Sequence, residues 1–88
     1  MARLEMSEAT ASMAQAKPTA EDLFDLGITY STGFEGKPDL VQAHKWFNLA
    51  AIRGNSAAAS YRQEIAREMS AAEVALAQRE AREWLTRH

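Results

Sequence analysis

The 88-residue sequence has no cysteine, only two prolines and four glycines, and no long apolar run. Without cysteine, the chain cannot form a disulfide framework, a thiolate zinc site or a cysteine nucleophile. Its longest apolar runs are three or four residues, too short to cross a bilayer. Ten basic residues against twelve acidic ones give no positive excess to attract a phosphate backbone. We therefore expect one small soluble domain that binds neither nucleic acid nor membrane.

The N-terminal residues 1–18 are expected to form an arm, either a frayed helix or a disordered segment. Leu4, Met6 and Met13 stand there among alanine, serine and glutamate, so the apolar stripe is thin. The segment also lacks the continuous apolar stretch of a secretory signal. We therefore expect a cytoplasmic protein whose helical domain spans residues 19–88.

The rest of the chain favours helices, because apolar residues recur at helical rather than strand spacing. Thr19 is a candidate N-cap of the first helix, and Asp39 of the second, with Gln42 as its capping-box partner. Ser70 and Glu73 have the spacing of a further capping box. The predicted fold class is all-α, with four helices and a fifth left open at the N-terminus.

Gly27 lies inside the first predicted helix, where glycine costs about 1 kcal/mol relative to alanine. We interpret it as a point of close approach, since a residue without Cβ lets a facing helix lie against the backbone. The second predicted helix offers Ala43 and Ala50 with Phe47 between them. The pattern therefore predicts antiparallel helices that interlock as a hairpin.

Small and large residues recur at fixed spacing through this hairpin. They are Leu23, Leu26, Gly27, Tyr30, Gly33, Asp39, Ala43, Trp46, Phe47, Ala50, Ala51, Gly54 and Ala57. The pattern resembles a Sel1-like repeat of the tetratricopeptide type. The resemblance implies an α–α superhelix of antiparallel helical hairpins, with one complete repeat over about residues 20–57.

Two segments depart from the repeat pattern. In the loop, Phe34 stands near where the family carries a Gly-Val pair before the aspartate. A shift of 37 residues places Tyr61 against Phe24 but Glu64 against Gly27, so the small residue is lost. Residues 58–88 are therefore interpreted as a degenerate pair of capping helices.

Asp22, Asp25 and Thr29 recur on the side of the first helix away from its buried face. Because the first helices of tetratricopeptide-like pairs line the ligand-facing surface, the resemblance implies that this stripe meets a basic segment of a partner. The alternative is an ordinary solvated helix face. Phe24 and Ile28 form a second apolar pair, which either the N-terminal arm covers or a partner binds.

His44 is the only internal histidine, and no neighbouring histidine or cysteine completes a metal set. We interpret it as a partly exposed structural residue. The sequence contains no phosphate-binding loop, nucleophile elbow or zinc-protease motif. We therefore expect no catalysis, no cofactor and no metal. The alternative is a small enzyme or metal-binding protein that uses His44.

The resemblance implies a protein–protein interaction module, a scaffold or adaptor of the kind often found in bacteria. The hairpin would present its first helix and the loop containing Phe34 to a peptide or protein partner. The main alternative is self-association, because a single repeat that exposes apolar side chains can stack end to end as a homo-oligomer.

Overall fold

The structure, a computed structural model, describes residues 17–33 and 36–87, which form four α-helices. Their bounds are α1, Ala20–Thr32; α2, Leu40–Ile52; α3, Ser56–Ala66; and α4, Ala71–Arg87. The all-α prediction is confirmed for this part of the chain. The arm and possible fifth helix predicted before residue 17 lie outside the described residues, as does the loop residue Phe34.

Side-chain caps determine where α1 and α4 begin. Thr19 Oγ1 accepts a hydrogen bond from the Asp22 amide at 3.1 Å, and the Asp22 carboxylate accepts one from the Thr19 amide at 3.0 Å. Ser70 and Glu73 exchange the same pair of bonds before α4. These reciprocal bonds satisfy amides that have no partner within the helix. The predicted caps of both helices are confirmed.

The start of α2 differs in one respect from the prediction. Asp39 is its N-cap, accepting a hydrogen bond from the Gln42 amide at 3.1 Å. The Gln42 side chain does not return to complete a capping box; its amide nitrogen donates to Glu80 Oε1 on α4 at 3.2 Å. The predicted partnership of Gln42 was wrong because the Asp39 backbone amide, which the capping box would satisfy, already donates to the Tyr30 carbonyl at 2.9 Å.

Helix α2 is the centre of the fold, since α1, α3 and α4 all pack against it. The contact with α1 depends on Gly27, where an added Cβ would lie 2.4 Å from Phe47 Cδ1. The predicted close approach of the two helices is therefore confirmed. The fully buried residues of the core cluster come from all four helices: Leu23, Ala43, Phe47, Leu49, Ala50, Ala58 and Ala81.

Helices α2 and α4 contact each other at residues 38 positions apart. The Gln42–Glu80 hydrogen bond has this separation. Trp46 and Trp84 have it as well, and their rings meet edge to face with centroids 5.8 Å apart. Because both contacts keep the same separation, α2 and α4 run in the same direction. None of the described helices is both long and apolar enough to cross a membrane.

Candidate protein interaction surface

Acidic charge is concentrated on α1. Glu21, Asp22 and Asp25 are all exposed, and the helix contains no lysine or arginine. Helix α4, in contrast, carries three glutamates and three arginines. Among the described helices, α1 therefore has the largest excess of acidic residues, and it is the helix on which the sequence predicted a binding stripe.

The three residues of that stripe have different surroundings. The Asp22 carboxylate belongs to the N-terminal capping box and is held by the Thr19 amide. Thr29 is half-buried, and its hydroxyl donates to the backbone oxygen of Asp25 at 2.9 Å. The Asp25 carboxylate is exposed and has no hydrogen-bond or ion-pair partner within residues 17–33 and 36–87. Asp25 is thus the member of the stripe whose charge is available to a partner.

Phe24 and Ile28 are half-buried and pack against the core. The Phe24 ring lies 5.6 Å from that of Phe47 and 5.3 Å from that of Tyr61, measured between centroids. The pair therefore forms part of the outer layer of the core, and Phe24 connects α1 with α3.

Tyr61 on α3 completes this aromatic cluster at the surface. Its ring stacks on Phe47 with centroids 5.3 Å apart and an interplanar angle of 27°. The residue nevertheless remains 41% exposed. The sequence pattern does not single out Tyr61 as a binding residue, because its helical spacing with Ala58 and Ile65 indicates a helix and says nothing about exposure.

Unpaired carboxylates lie beside the aromatic cluster on α1 and on α3. Glu21 precedes Phe24 by three positions and Glu64 follows Tyr61 by three, spacings that place each acid beside its ring on the helix surface. Both glutamates are exposed, and neither carboxylate has a partner in the part of the chain that the structure describes. We name this surface the aromatic–acidic face; it consists of Glu21, Phe24, Asp25, Ile28, Tyr61 and Glu64.

A concave surface lies between α2 and α4. It is an open cleft of about 210 Å³ lined by Lys45, Glu80, Glu83, Trp84 and Arg87. Two carboxylates face two cations there, so the cleft offers no net charge that would select a ligand. Lys45 Nζ lies 4.5 Å from the Trp46 ring centroid, a cation–π contact that covers the tryptophan.

The Arg53 side chain links three elements beside this cleft. Its guanidinium carbon lies 5.6 Å from the Trp84 ring centroid, and Nη1 donates to the Pro18 carbonyl at 3.2 Å. The arginine therefore connects the end of α2 with α4 and with the segment before α1. We assign this region a structural role, since Glu80 and Arg53 both make contacts between elements of the fold.

His44 is buried, with 3% of its surface exposed, and its Nδ1 has no hydrogen-bond partner. The expectation of a partly exposed histidine was wrong because α2 is covered by three other helices. Burial lowers the pKa of His44, and the positive charge of Arg62 lowers it further. Among the described residues, no group of three or more histidine, aspartate or glutamate side chains is arranged to hold a metal ion.

We expect His44 to make the protein less stable in acid. Because its pKa in the folded protein lies below the ordinary value of 6.5, the unfolded chain takes up the proton at a higher pH than the folded protein. The free energy of unfolding should therefore fall as the pH drops below about 6.5. Urea denaturation at about pH 7.5 and about pH 5.5 measures the difference.

The His44→Leu variant tests this assignment, since it removes the buried titrating group. It should show a smaller pH difference in unfolding free energy than the wild type. His88→Gln removes the chain's other histidine and is the matched control, expected to retain the full difference. A pH dependence that is unchanged in His44→Leu would show that other groups cause it.

Of the residues predicted to bind a partner, Phe24, Asp25 and Ile28 lie on the aromatic–acidic face. Asp22 and Thr29 are on the same helix but have their polar groups engaged within it. Comparison of the chain with protein-family models, curated proteins and solved structures finds no match. The functional conclusion therefore depends on the geometry of the aromatic–acidic face.

Proposed function

We propose that this protein is a protein–protein interaction module, a Sel1-like helical scaffold that binds a basic segment of a partner through the aromatic–acidic face. One observation carries the proposal: Tyr61 is 41% exposed although it packs on two buried or half-buried aromatic rings. A large aromatic side chain held rigidly at the surface loses little conformational freedom when a partner covers it. Such residues are enriched among those that dominate binding energy.

The arrangement of the helices supports a repeat-type scaffold. Helices α1 and α2 form one hairpin, and the contacts at a separation of 38 residues align α4 with α2. Helix α3 then stands beside α1 through the Phe24–Tyr61 contact. In an α–α superhelix of this kind, first helices of successive hairpins share one binding surface. The aromatic–acidic face is built from α1 and α3, the two helices in that position.

Charge favours a basic partner over a second copy of the chain on this face. A second copy that met the face with its own α1 would bring Glu21, Asp22 and Asp25 against like charges. Exposed ion pairs contribute only about 0.2–1 kcal/mol each, whereas truncating an aromatic anchor commonly costs about 2 kcal/mol or more. We therefore assign affinity mainly to the aromatic rings, and orientation and salt dependence to the carboxylates.

Selection from a library of random peptides tests the proposal, because the library covers many sequences and requires no candidate partner. Peptides that bind the wild-type protein should be enriched in lysine and arginine next to apolar residues. Glu64→Lys should weaken their binding roughly 3–10-fold, because it places a cation beside Tyr61. Fluorescence anisotropy of the selected peptides, measured at low and high salt, gives both the affinity and its electrostatic part.

Glu83→Lys is the matched control. Glu83 is also an exposed helical glutamate, but it lies on α4 at the cleft between α2 and α4. It should leave peptide affinity within about twofold, and both variants should keep the unfolding free energy within about 0.5 kcal/mol. Selected peptides without an excess of basic residues, or equal losses in the two variants, would contradict the proposed face. Light scattering over a concentration series tests the self-association alternative, which requires a mass that rises with concentration.

A further inference from the structure

The geometry of the aromatic cluster points to a specific contact: the outer face of the Tyr61 ring receives an arginine or lysine side chain of the partner in a cation–π interaction. This inference rests on the proposed function and identifies the residue that selects the partner's cation. It follows from the positions of the Phe24, Phe47 and Tyr61 rings and of the Glu64 carboxylate.

The ring separations show which face of Tyr61 is open. Phe47 stacks on one face of the tyrosine ring, with centroids 5.3 Å apart. Phe24 is 5.3 Å from Tyr61 and 5.6 Å from Phe47, so the three centroids form a nearly equilateral triangle. If Phe24 covered the opposite face of Tyr61, it would be roughly twice as far from Phe47. Both phenylalanines therefore leave the outer face of the tyrosine ring uncovered.

The electrostatic surroundings of that face favour a cation. An aromatic ring carries negative charge on its face, and a cation within about 6 Å of the centroid is attracted to it. Glu64 lies beside Tyr61 on α3, and its carboxylate has no partner among the described residues. The nearest basic residue on α3, Arg62, is engaged elsewhere, since its Nη1 donates to Asn48 Oδ1 at 2.6 Å. A cation above Tyr61 would thus meet both a ring face and an unpaired carboxylate.

The ring also gives the face a selectivity that carboxylates alone would lack. An acidic surface attracts any cation, whereas a fixed aromatic plane favours the planar guanidinium of arginine, which stacks on it. Because Phe47 and Phe24 already hold the ring, binding would not have to order it. We therefore expect arginine to be preferred to lysine at this position of the partner.

A double-mutant cycle tests the contact. The probe is a synthetic amphipathic peptide of leucine and arginine, and its control carries citrulline, a neutral analogue of similar shape, at every arginine. Tyr61→Leu keeps an apolar side chain but removes the ring. It should weaken binding of both peptides, because the ring is also an apolar anchor, and weaken binding of the arginine peptide about threefold more than binding of the citrulline peptide. Titrations followed by fluorescence anisotropy give the four dissociation constants, and circular dichroism verifies that the variant is folded.

Two further variants keep the ring in place. Tyr61→Phe retains the ring and its packing, and should bind the arginine peptide within about twofold of the wild type. Pentafluorophenylalanine at position 61 has a similar shape but a reversed ring quadrupole, and should weaken binding of the arginine peptide as Tyr61→Leu does. This second variant tests the electrostatic part of the contact even if Tyr61→Leu disturbs the fold.

The possible outcomes separate this inference from the proposed function. If Tyr61→Leu weakens binding of both peptides equally, the cation–π contact is wrong while binding to the face stands. If it weakens binding of neither peptide, Tyr61 takes no part in binding, and both the inference and the proposed face fail. If Tyr61→Phe loses as much affinity as Tyr61→Leu, the hydroxyl rather than the ring face makes the contact, and the inference fails. If the wild-type protein binds neither peptide and selects no basic peptides, the proposed function itself is wrong.

Discussion

Phe47→Ala is expected to lower the free energy of unfolding by about 3–5 kcal/mol, the loss typical of a buried phenylalanine. Phe47 is fully buried and is the largest of the core side chains. It packs against α1 at Gly27 and against α3 through the Tyr61 ring. Truncation would leave a cavity between α1, α2 and α3. Since native proteins are stable by only about 5–15 kcal/mol, a large fraction of the stability of this protein would be lost.

Leu85→Ala provides the control for this variant. Leu85 follows Phe47 by the same separation of 38 residues that joins Gln42 to Glu80, but it is 36% exposed. Its truncation should therefore cost about 1 kcal/mol or less. Urea denaturation followed by circular dichroism measures both. A loss below about 1 kcal/mol for Phe47→Ala would mean that the core is centred elsewhere.

Gly27→Ala is expected to destabilise the protein by about 1–3 kcal/mol, although alanine is the better helix former. Replacing glycine by alanine within a helix normally gains about 1 kcal/mol. Here the added methyl group would lie 2.4 Å and 2.5 Å from two ring carbons of Phe47, closer than atoms can approach. The ring is fully buried and cannot move away without displacing its neighbours. Overpacking of this kind typically costs about 1–3 kcal/mol, which outweighs the gain in helix propensity.

A second substitution shows whether the contact with Phe47 is the cause. Adding Phe47→Leu, which shortens the facing side chain, should make Gly27→Ala less costly than it is alone, because neighbouring substitutions are not additive. Ser60→Ala, at an exposed position on α3, should change stability by less than about 0.5 kcal/mol. If Gly27→Ala stabilises the protein, then α1 and α2 are not in close contact at this position.

The helix termini were predictable because they depend on residues only three positions apart. Thr19 and Asp22, like Ser70 and Glu73, bond to each other across a single turn. Gln42 has the same spacing from Asp39, but its side chain bonds to Glu80 instead. The Asp39 amide donates to the Tyr30 carbonyl, so a local pattern predicts a capping box only where no distant group satisfies the N-cap amide.

Residues of α2 match identical residues of α4 in the sequence when the chain is shifted by 38 positions. A shift of 38 residues aligns Trp46 with Trp84 and Ala43 with Ala81. A shift of 37 residues does not align these pairs, and the loss of the small residue there favours the interpretation of residues 58–88 as degenerate. The structure places both tryptophans in contact.

Helical periodicity and the close approach at Gly27 follow from the amino-acid sequence, since both depend on which residues share one side of a helix. The exposure of a given side is decided only when the helices pack. Helix α2 is covered by three others, so even the polar His44 is buried there with its Nδ1 unpaired. Helix α3 is covered much less, so the large Tyr61 ring remains 41% exposed. Which of these two residues lies at the surface is therefore determined by the number of neighbouring helices, a property of the tertiary structure alone.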